Sequence, residues 1–305
     1  MNILITGANG FLGSNVAKQL HKEGYQLYLV SKNTTNIEQL ISSHLYSSAH
    51  THELSQYVEK VREFSPDVVL HFGWSGGNSY ADVDSTGQLI DNVQPGIEFI
   101  KLLSTLDKKP KFIGLGSFAE YGDQKTPSDE NTKEAPINLY GLSKYTFKNY
   151  SKMLCEKYNI DWVWVRPCYI YGPHDVKTRL VPTLIHKLTN NQIVKLDECT
   201  AIVDYLYIDD FVQLLNVLIK EEKEGIYNIC SGNQYSIKEI VATLRILTES
   251  TSEIVYDTSL TRKNSPKYTC GVNRKILSLK NITKTSLHNG LLKTVEYEKS
   301  CSNKR

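Results

Sequence analysis

The reading of the fold turns on one stretch near the N-terminus: Asn2-Ile3-Leu4-Ile5-Thr6-Gly7-Ala8-Asn9-Gly10-Phe11-Leu12-Gly13. Residues 2–6 are apolar and β-prone, as a buried strand requires. From Ser14 to Leu20, the apolar Val16, Ala17 and Leu20 recur at helical spacing. Between strand and helix, Gly7, Gly10 and Gly13 make a Gly-x-x-Gly-x-x-Gly turn. A glycine there admits positive φ, and the missing side chains let the backbone approach a pyrophosphate. Backbone N–H groups and the positive helix N-terminus then hold the phosphate charge. The spacing departs from Gly-x-Gly-x-x-Gly. Its place between a strand and a helix favours a dinucleotide-binding turn over a merely tight βα turn.

Outward from this unit the same alternation continues. Gln26–Val30 reads as a second strand, Glu53–Phe64 as a helix and Val68–Phe72 as a strand. A helix around Ile97–Leu103 leads to the strand Phe112–Leu115. A long helix from about Tyr140 to Lys157 leads to the strand Asp161–Arg166. Strand and helix in alternation predict a parallel sheet covered on both faces, and right-handed crossovers make it doubly wound. The fold class is therefore α/β, Rossmann-type. The second half is less regular, with helices expected at Thr183–Leu188 and Ser236–Leu247 and strands at Tyr205–Ile208 and Gly225–Ile229.

With 305 residues the chain can form one large or two small lobes. Its 35 basic and 33 acidic side chains give +2, which speaks against a nucleic-acid or anionic-membrane surface. No apolar run is long enough to span a bilayer. No basic and apolar leader precedes Met1-Asn2-Ile3, so the expectation is a cytoplasmic protein. Six cysteines, at 155, 168, 199, 230, 270 and 301, form no Cys-x-x-Cys, so reduced thiols and no metal site are expected. Asp209-Asp210 is read as a helix-start pair rather than a metal site. His71, in an apolar strand, is read as a packing residue.

The second strand ends in Ser31-Lys32-Asn33. A carboxylate there would accept hydrogen bonds from a ribose 2′-OH and repel a 2′-phosphate. A hydroxyl and an ammonium suit the 2′-phosphate, so NADP(H) is favoured, with NAD(H) the alternative. Tyr140 and Lys144 stand at i and i+4, on one helix face. An ammonium beside a phenol stabilises the phenolate, making the tyrosine a proton donor and acceptor near neutral pH. Gly116-Ser117 follows a predicted strand, where ligands of an α/β sheet bind, and the Ser117 hydroxyl can donate to a carbonyl oxygen.

These motifs resemble the extended short-chain dehydrogenase/reductases that act on nucleotide sugars. The resemblance runs through Thr6–Gly13, Pro66–Phe72, Asn92-Val93, Gly116-Ser117 with Glu120-Tyr121-Gly122, and Tyr140 with Lys144. It continues through Arg166-Pro167, Tyr171-Gly172-Pro173, Asp204–Asp210, Tyr227–Gly232 and Thr285–Leu291, in the family's order. It implies a cofactor lobe, residues 1–172 with about 200–232, and a nucleotide-sugar lobe, about 173–199 with 233–305. It implies Ser117, Tyr140 and Lys144 as the catalytic set. Cofactor contacts are then expected from Gly7, Asn9, Gly10, Phe11, Leu12 and Gly13. Further contacts are expected from Ser31, Lys32, Phe72, Gly73, Tyr140, Lys144 and Pro167. Trp74, Phe118, Tyr169, Arg179 and Arg262 are expected at the substrate, the arginines gripping a diphosphate. A homodimer through Asn92–Leu103 and Tyr140–Lys157 is implied too. The chain departs from the family at Tyr169, where Asn is frequent, and at Val203, where many members have Arg.

The resemblance also narrows the activity. Related dehydratases carry Asp-Glu directly after the residue matching Ser117; here stand Phe118 and Ala119. The epimerase-reductases that make GDP-fucose carry Cys where this chain has Ala119. Neither phenyl nor methyl moves a proton, which leaves a reductase or an enzyme that oxidises and re-reduces one carbon. The stretches 191–210 and 262–277 are similar to synthases that reduce 4-keto-6-deoxy or 3,6-dideoxy sugars, CDP-abequose synthase among them. The expectation is an NADPH-dependent 4-ketoreductase of a nucleoside-diphosphate hexose, in deoxysugar biosynthesis for surface polysaccharide. The alternatives are a nucleotide-sugar 4-epimerase with tightly bound NAD and a non-catalytic dinucleotide sensor.

Overall fold

The computed structural model describes residues 1–49, 53, 57–76, 87–261 and 265–302. Strand β1 (Asn2–Thr6) runs into α1 (Phe11–Lys22), followed by β2 (Gln26–Val30), β3 (Leu45–Ser47), α2 (Val58–Phe64) and β4 (Val68–His71). The expected helix from Glu53 thus begins at Val58, and 54–56 lie outside the described residues. A π-helical turn, Leu89–Val93, leads into α3 (Gln94–Leu103), whose Pro95 sits in the first turn, where no N–H partner is needed. Next come β5 (Lys111–Leu115), α4 (Leu139–Tyr158) and β6 (Trp162–Pro167).

The second half adds β7 (Tyr169–Tyr171), α5 (Leu180–Thr189), β8 (Val194–Leu196), β9 (Ile202–Val203), β10 (Tyr205–Tyr207), α6 (Ile208–Lys220) and β11 (Gly225–Ile229). The chain closes with β12 (Tyr235–Ser236), α7 (Ile237–Leu247), β13 (Ile254–Tyr256), β14 (Tyr268–Thr269), α8 (Arg274–Leu279) and α9 (Leu287–Ser302). The pair Asp209-Asp210 lies in the first turn of α6, but neither side chain caps that helix. Asp210 instead accepts from the Thr285 N–H (2.7 Å) and hydroxyl (3.0 Å), tying the start of the last helix to α6.

Among the described residues, seven strands form one parallel sheet in the order β3-β2-β1-β4-β5-β6-β11. Successive residues of β1 face opposite sides, and both sides are buried. Ile3 and Ile5 join the core with Leu70, Val163 and Phe211, whereas Leu4 joins Val69, Phe112, Phe147 and Trp164. The chain moves outward from β1 in one direction and from β4 in the other. This leaves a crevice at the carboxyl ends of these two neighbours, the topological switch point where ligands of such sheets bind. The residues beyond the large sheet build the pairs β10-β7 and β13-β8 and the three-stranded β12-β9-β14. No helix among the described residues is long and apolar enough to cross a membrane.

Candidate active site

The glycine turn sits at the switch point. Gly7 has φ +67°, and a Cβ there would lie 2.7 Å from the Gly73 nitrogen and 2.8 Å from the Phe72 carbonyl carbon. Gly7 is therefore demanded twice, by its backbone conformation and by the approach of the turn after β4. A Cβ on Gly13 would press on the Gly7 carbonyl, so helix and turn also pack backbone to backbone. Thr6 joins the same crossing, because its hydroxyl oxygen accepts from the Gly73 N–H (3.1 Å) and shares a 2.9 Å hydrogen bond with His71 Nδ1. Gly10 begins α1 without a side-chain cap, and no acidic residue lies in the first turn. The first turn of α1 thus forms a cradle of backbone N–H groups with neither a side-chain cap nor a carboxylate against them, the donors and sign that suit a phosphate.

Asn9 fixes the wall of that cradle. Its Oδ1 accepts from the Asn36 N–H (2.7 Å), its carbonyl from Asn36 Nδ2 (2.8 Å), and its Nδ2 donates to Asn33. The loop after β2 is thereby clamped to the glycine turn. Ser31 is buried there, its carbonyl accepting from the Tyr46 hydroxyl at 2.9 Å, while Lys32 is exposed.

Ser117, Tyr140 and Lys144 converge at the carboxyl end of β5. Asn138 caps α4, accepting from the Gly141 N–H at 2.8 Å, and sets the first turn that carries Tyr140. One turn on, Lys144 is 2% exposed; its Nζ donates to the Leu115 carbonyl (2.8 Å) and lies 3.6 Å from the centre of the Trp74 ring. That nitrogen is 5.9 Å from the Tyr140 ring centre, so the i, i+4 pair does share a face. Burial pushes the Lys144 ammonium down to about 7, with Glu120 opposing. Trp74 stands edge-on to Tyr140 (6.5 Å, 88°), and its indole N–H donates to Gln88 Oε1 (2.8 Å). Asn92, in the π-helical turn, accepts from the Ser75 N–H (2.6 Å) and holds the same loop. π-turns of this kind are frequent at functional sites.

Ser117 begins a short 3₁₀ turn, its hydroxyl oxygen accepting from the Ala119 N–H at 3.1 Å. That bond uses a lone pair, leaving the hydroxyl proton to donate. Phe118 is 3% exposed and edge-on to Tyr121, with its ring closing over Gly271. Pro167 ends β6, and Tyr169, 36% exposed, stacks on Tyr205 (5.4 Å, 16°). The Arg179 guanidinium lies 5.9 Å from the Phe11 ring centre and 3.4 Å from Asp175. Burial raises the Asp175 carboxyl to about 6, with Arg179 opposing. Arg179 thus stands beside the first turn of α1. Arg262 lies outside the described residues. His71 packs among Phe99, Phe112 and Phe147, and burial, together with the Lys144 charge, lowers its imidazole to about 3.

Sequence reasoning assigned no part to Glu120, yet it lies under Ser117, accepting its N–H at 2.8 Å. The signal was present: Ser117-Phe118-Ala119-Glu120 is a capping-box pattern, and both bonds of the box are made. Gln88 and Asn92 carried no comparable signal. Among the described residues, no group of three or more His, Cys, Asp or Glu side chains is arranged to hold a metal.

Residues 3–230 match the sequence model of the NAD dependent epimerase/dehydratase family. The chain is 28% identical, over 88% of its length and 88% of the relative's, to an ADP-L-glycero-D-manno-heptose-6-epimerase of Brachyspira hyodysenteriae. Its fold is similar to that of a UDP-glucose 4-epimerase of Thermotoga maritima, solved with UDP-glucose (TM-score 0.91, 23% identity, 99% of this chain and 100% of that one). A dTDP-glucose 4,6-dehydratase of Bacillus anthracis, solved with NAD, is also similar (TM-score 0.88, 19% identity, 99% and 98%).

Proposed function

The chain belongs to the NAD-dependent epimerase/dehydratase family, and from that premise we propose an NADPH-dependent reductase. Its substrate on this reading is the 4-keto group of a nucleoside-diphosphate-linked 6-deoxy or 3,6-dideoxy hexose. The observation that carries the reading is a Ser117–Tyr140–Lys144 constellation combined with a β2 terminus, Ser31-Lys32-Asn33, that holds no carboxylate.

When bound, the nicotinamide supplies the hydride that reduces the keto carbon. The chain's own residues manage the oxygen. Ser117 donates a hydrogen bond to it, and Tyr140 gives up the phenolic proton as alkoxide charge develops. Lys144, close to Tyr140 and dry beneath Trp74, steadies the phenolate that remains. Phe118 and Ala119 add no further acid or base, so elimination of water finds no catalyst beside Ser117.

The second reading is a nucleotide-sugar epimerase that retains NAD, and the epimerase relative at 28% identity favours it. Consumption of NADPH and NADH with dTDP-, CDP-, GDP- and UDP-linked 4-keto-6-deoxyhexoses separates the two. Stoichiometric NADPH loss with one nucleotide class supports the reductase and names its substrate. No loss with any, together with NAD released on denaturation, overturns it in favour of the epimerase. A Tyr140→Phe variant should lose about 10²–10⁴-fold in kcat while still binding NADPH. Native protein without turnover on any sugar nucleotide would favour a dinucleotide sensor.

A further inference from the structure

We propose that Glu120 is a positioning residue of this site: anchored by Arg166, it fixes the Ser117 backbone and supplies the countercharge to the buried Lys144 ammonium. The inference rests on the Ser117–Tyr140–Lys144 reading given above.

Glu120 and Arg166 are both 0% exposed. Glu120 Oε2 accepts from Arg166 Nε (2.8 Å), and Oε1 accepts from the Ser117 N–H (2.8 Å). Trp164 Nε1 donates to both oxygens, at 3.1 and 3.2 Å. The carboxylate is therefore locked by donors from β6 on one side and holds the start of the Ser117 turn on the other. Ser117 is pinned at two atoms, its N–H by Glu120 and its hydroxyl oxygen by the Ala119 N–H. Only a narrow set of positions is then left to the hydroxyl that meets the substrate oxygen. Gly116 makes room for this, since a Cβ there would collide with Glu120 Oε1 and the Trp164 indole.

The charges give Glu120 its second task. Arg166 also pairs with Glu134, and Lys148 pairs with that same carboxylate. Arg166 lies over the Tyr121 ring at 4.4 Å as well. Lys144 and Glu120 hold the same stretch at the end of β5, Lys144 through the Leu115 carbonyl and Glu120 through the Ser117 N–H two residues on; His71 from β4 and the Trp74 and Tyr140 rings complete the surroundings of the ammonium. His71 is neutral, so Glu120 is the carboxylate among the groups that act on Lys144. Without it, Arg166 and Lys148 would still share Glu134, but Lys144 would keep no carboxylate among its neighbours. An isolated buried ammonium sheds its proton, and a neutral Lys144 could not steady the Tyr140 phenolate.

The test compares wild type with Glu120→Gln and with Glu120→Gln/Arg166→Met. The double variant removes the ion pair as a unit, so that no guanidinium is left stranded. In folded variants, NADPH affinity by fluorescence titration and KM should change little. The kcat should fall by about 10–100-fold, as expected for a misplaced catalytic group. The alkaline limb of kcat should move to lower pH by about 1 unit in both variants. Titration of Lys144 by 13C NMR of ε-labelled lysine, assigned with Lys144→Met, reads the same shift without any substrate. Glu120→Asp keeps the charge and should restore the pH profile. A folded variant with wild-type kcat and unmoved Lys144 titration overturns the proposal, as does a change confined to melting temperature. Retention of turnover by Tyr140→Phe would instead overturn the catalytic reading, leaving the Lys144 titration to decide this inference alone.

Discussion

Replacing Gly7 by alanine tests the claim that the turns after β1 and β4 need bare backbone where they cross. Two penalties are expected. At φ +67° a Cβ carries the left-handed penalty, about 1–2 kcal/mol. The same Cβ would lie 2.7 Å from the Gly73 nitrogen and 2.9 Å from its Cα, both inside ordinary contact and both backbone atoms that cannot swing away. Overpacking of this kind costs about 1–3 kcal/mol. Together they predict a loss of about 2–5 kcal/mol, or about 3–8 °C in Tm for a chain of this length. Gly24→Ala is the control. Its φ is +81° but nothing lies within 4 Å of its Cβ, so only the conformational penalty applies. If the turn holds the cofactor phosphate as proposed, the separation of the turns sets its mouth, so Gly7→Ala should weaken NADPH by tenfold or more, roughly 1.4 kcal/mol. Gly24→Ala should leave cofactor affinity unchanged. Calorimetric melts and fluorescence titrations of both variants measure this. Equal Tm losses with wild-type affinity in Gly7→Ala would refute the close-approach argument.

Lys144→Met should stabilise the protein while abolishing turnover. The folded protein holds the ammonium down at about 7 from its usual 10.5, so the burial penalty is fully present below 7. As pH rises from 7 towards 10.5 the wild type sheds that proton and gains stability. The advantage of Lys144→Met in urea melts should therefore be larger at pH 6 than at pH 10, and the reverse order would contradict the burial. Lys32→Glu should cut the preference for NADPH over NADH by about tenfold to a hundredfold, the equivalent of one charge-assisted contact, read as the ratio of kcat/KM values. An unchanged ratio would remove Lys32 from the cofactor site. Tyr150 and Met153 are exposed on α4, Met153 at 69%, with Ile90 exposed ahead of α3. Sedimentation should find a dimer that Tyr150→Glu/Met153→Glu turns into monomer. A monomeric wild type at micromolar concentration would sink the proposed interface.

What was legible in the sequence is what short-range periodicity encodes. β1, the glycine turn and α1 were readable because all the relevant residues lie within a few positions of one another. Tyr140 and Lys144 were readable because i, i+4 spacing implies a shared face. β3 was not, since Leu45-Tyr46-Ser47 is too short to show alternation and is a strand only because β2 lies beside it. α9 went unread for a different reason. Gly290 in its first turn argues against a helix locally, yet the Tyr171 ring fills the space a side chain would need there. Tertiary packing overrode propensity at that point. The ends of strands also differ: the sequence pattern carries strand through Phe72 and Ile208, but Phe72 falls past β4 and Ile208 opens α6.

Glu120 shows the same boundary within the site. Its local part, the capping box with Ser117, is written in four consecutive residues; its partner Arg166 is 46 residues away and meets it only because β5 and β6 are neighbours. That long-range half also bears on which chemistry the site admits. A carboxylate already sits beneath Ser117, fully buried and already accepting from Ser117, Trp164 and Arg166. Phe118 is packed over Gly271 in the adjacent position. An acid at 118, the first of the pair that dehydratases carry, would crowd a like charge against Glu120 in a buried position, where it could not stay ionised without cost. An apolar residue at 118 is thus what a structural carboxylate at 120 favours. On this argument the one-carbon redox chemistry proposed above and the buried Glu120–Arg166 pair would be two consequences of the same packing.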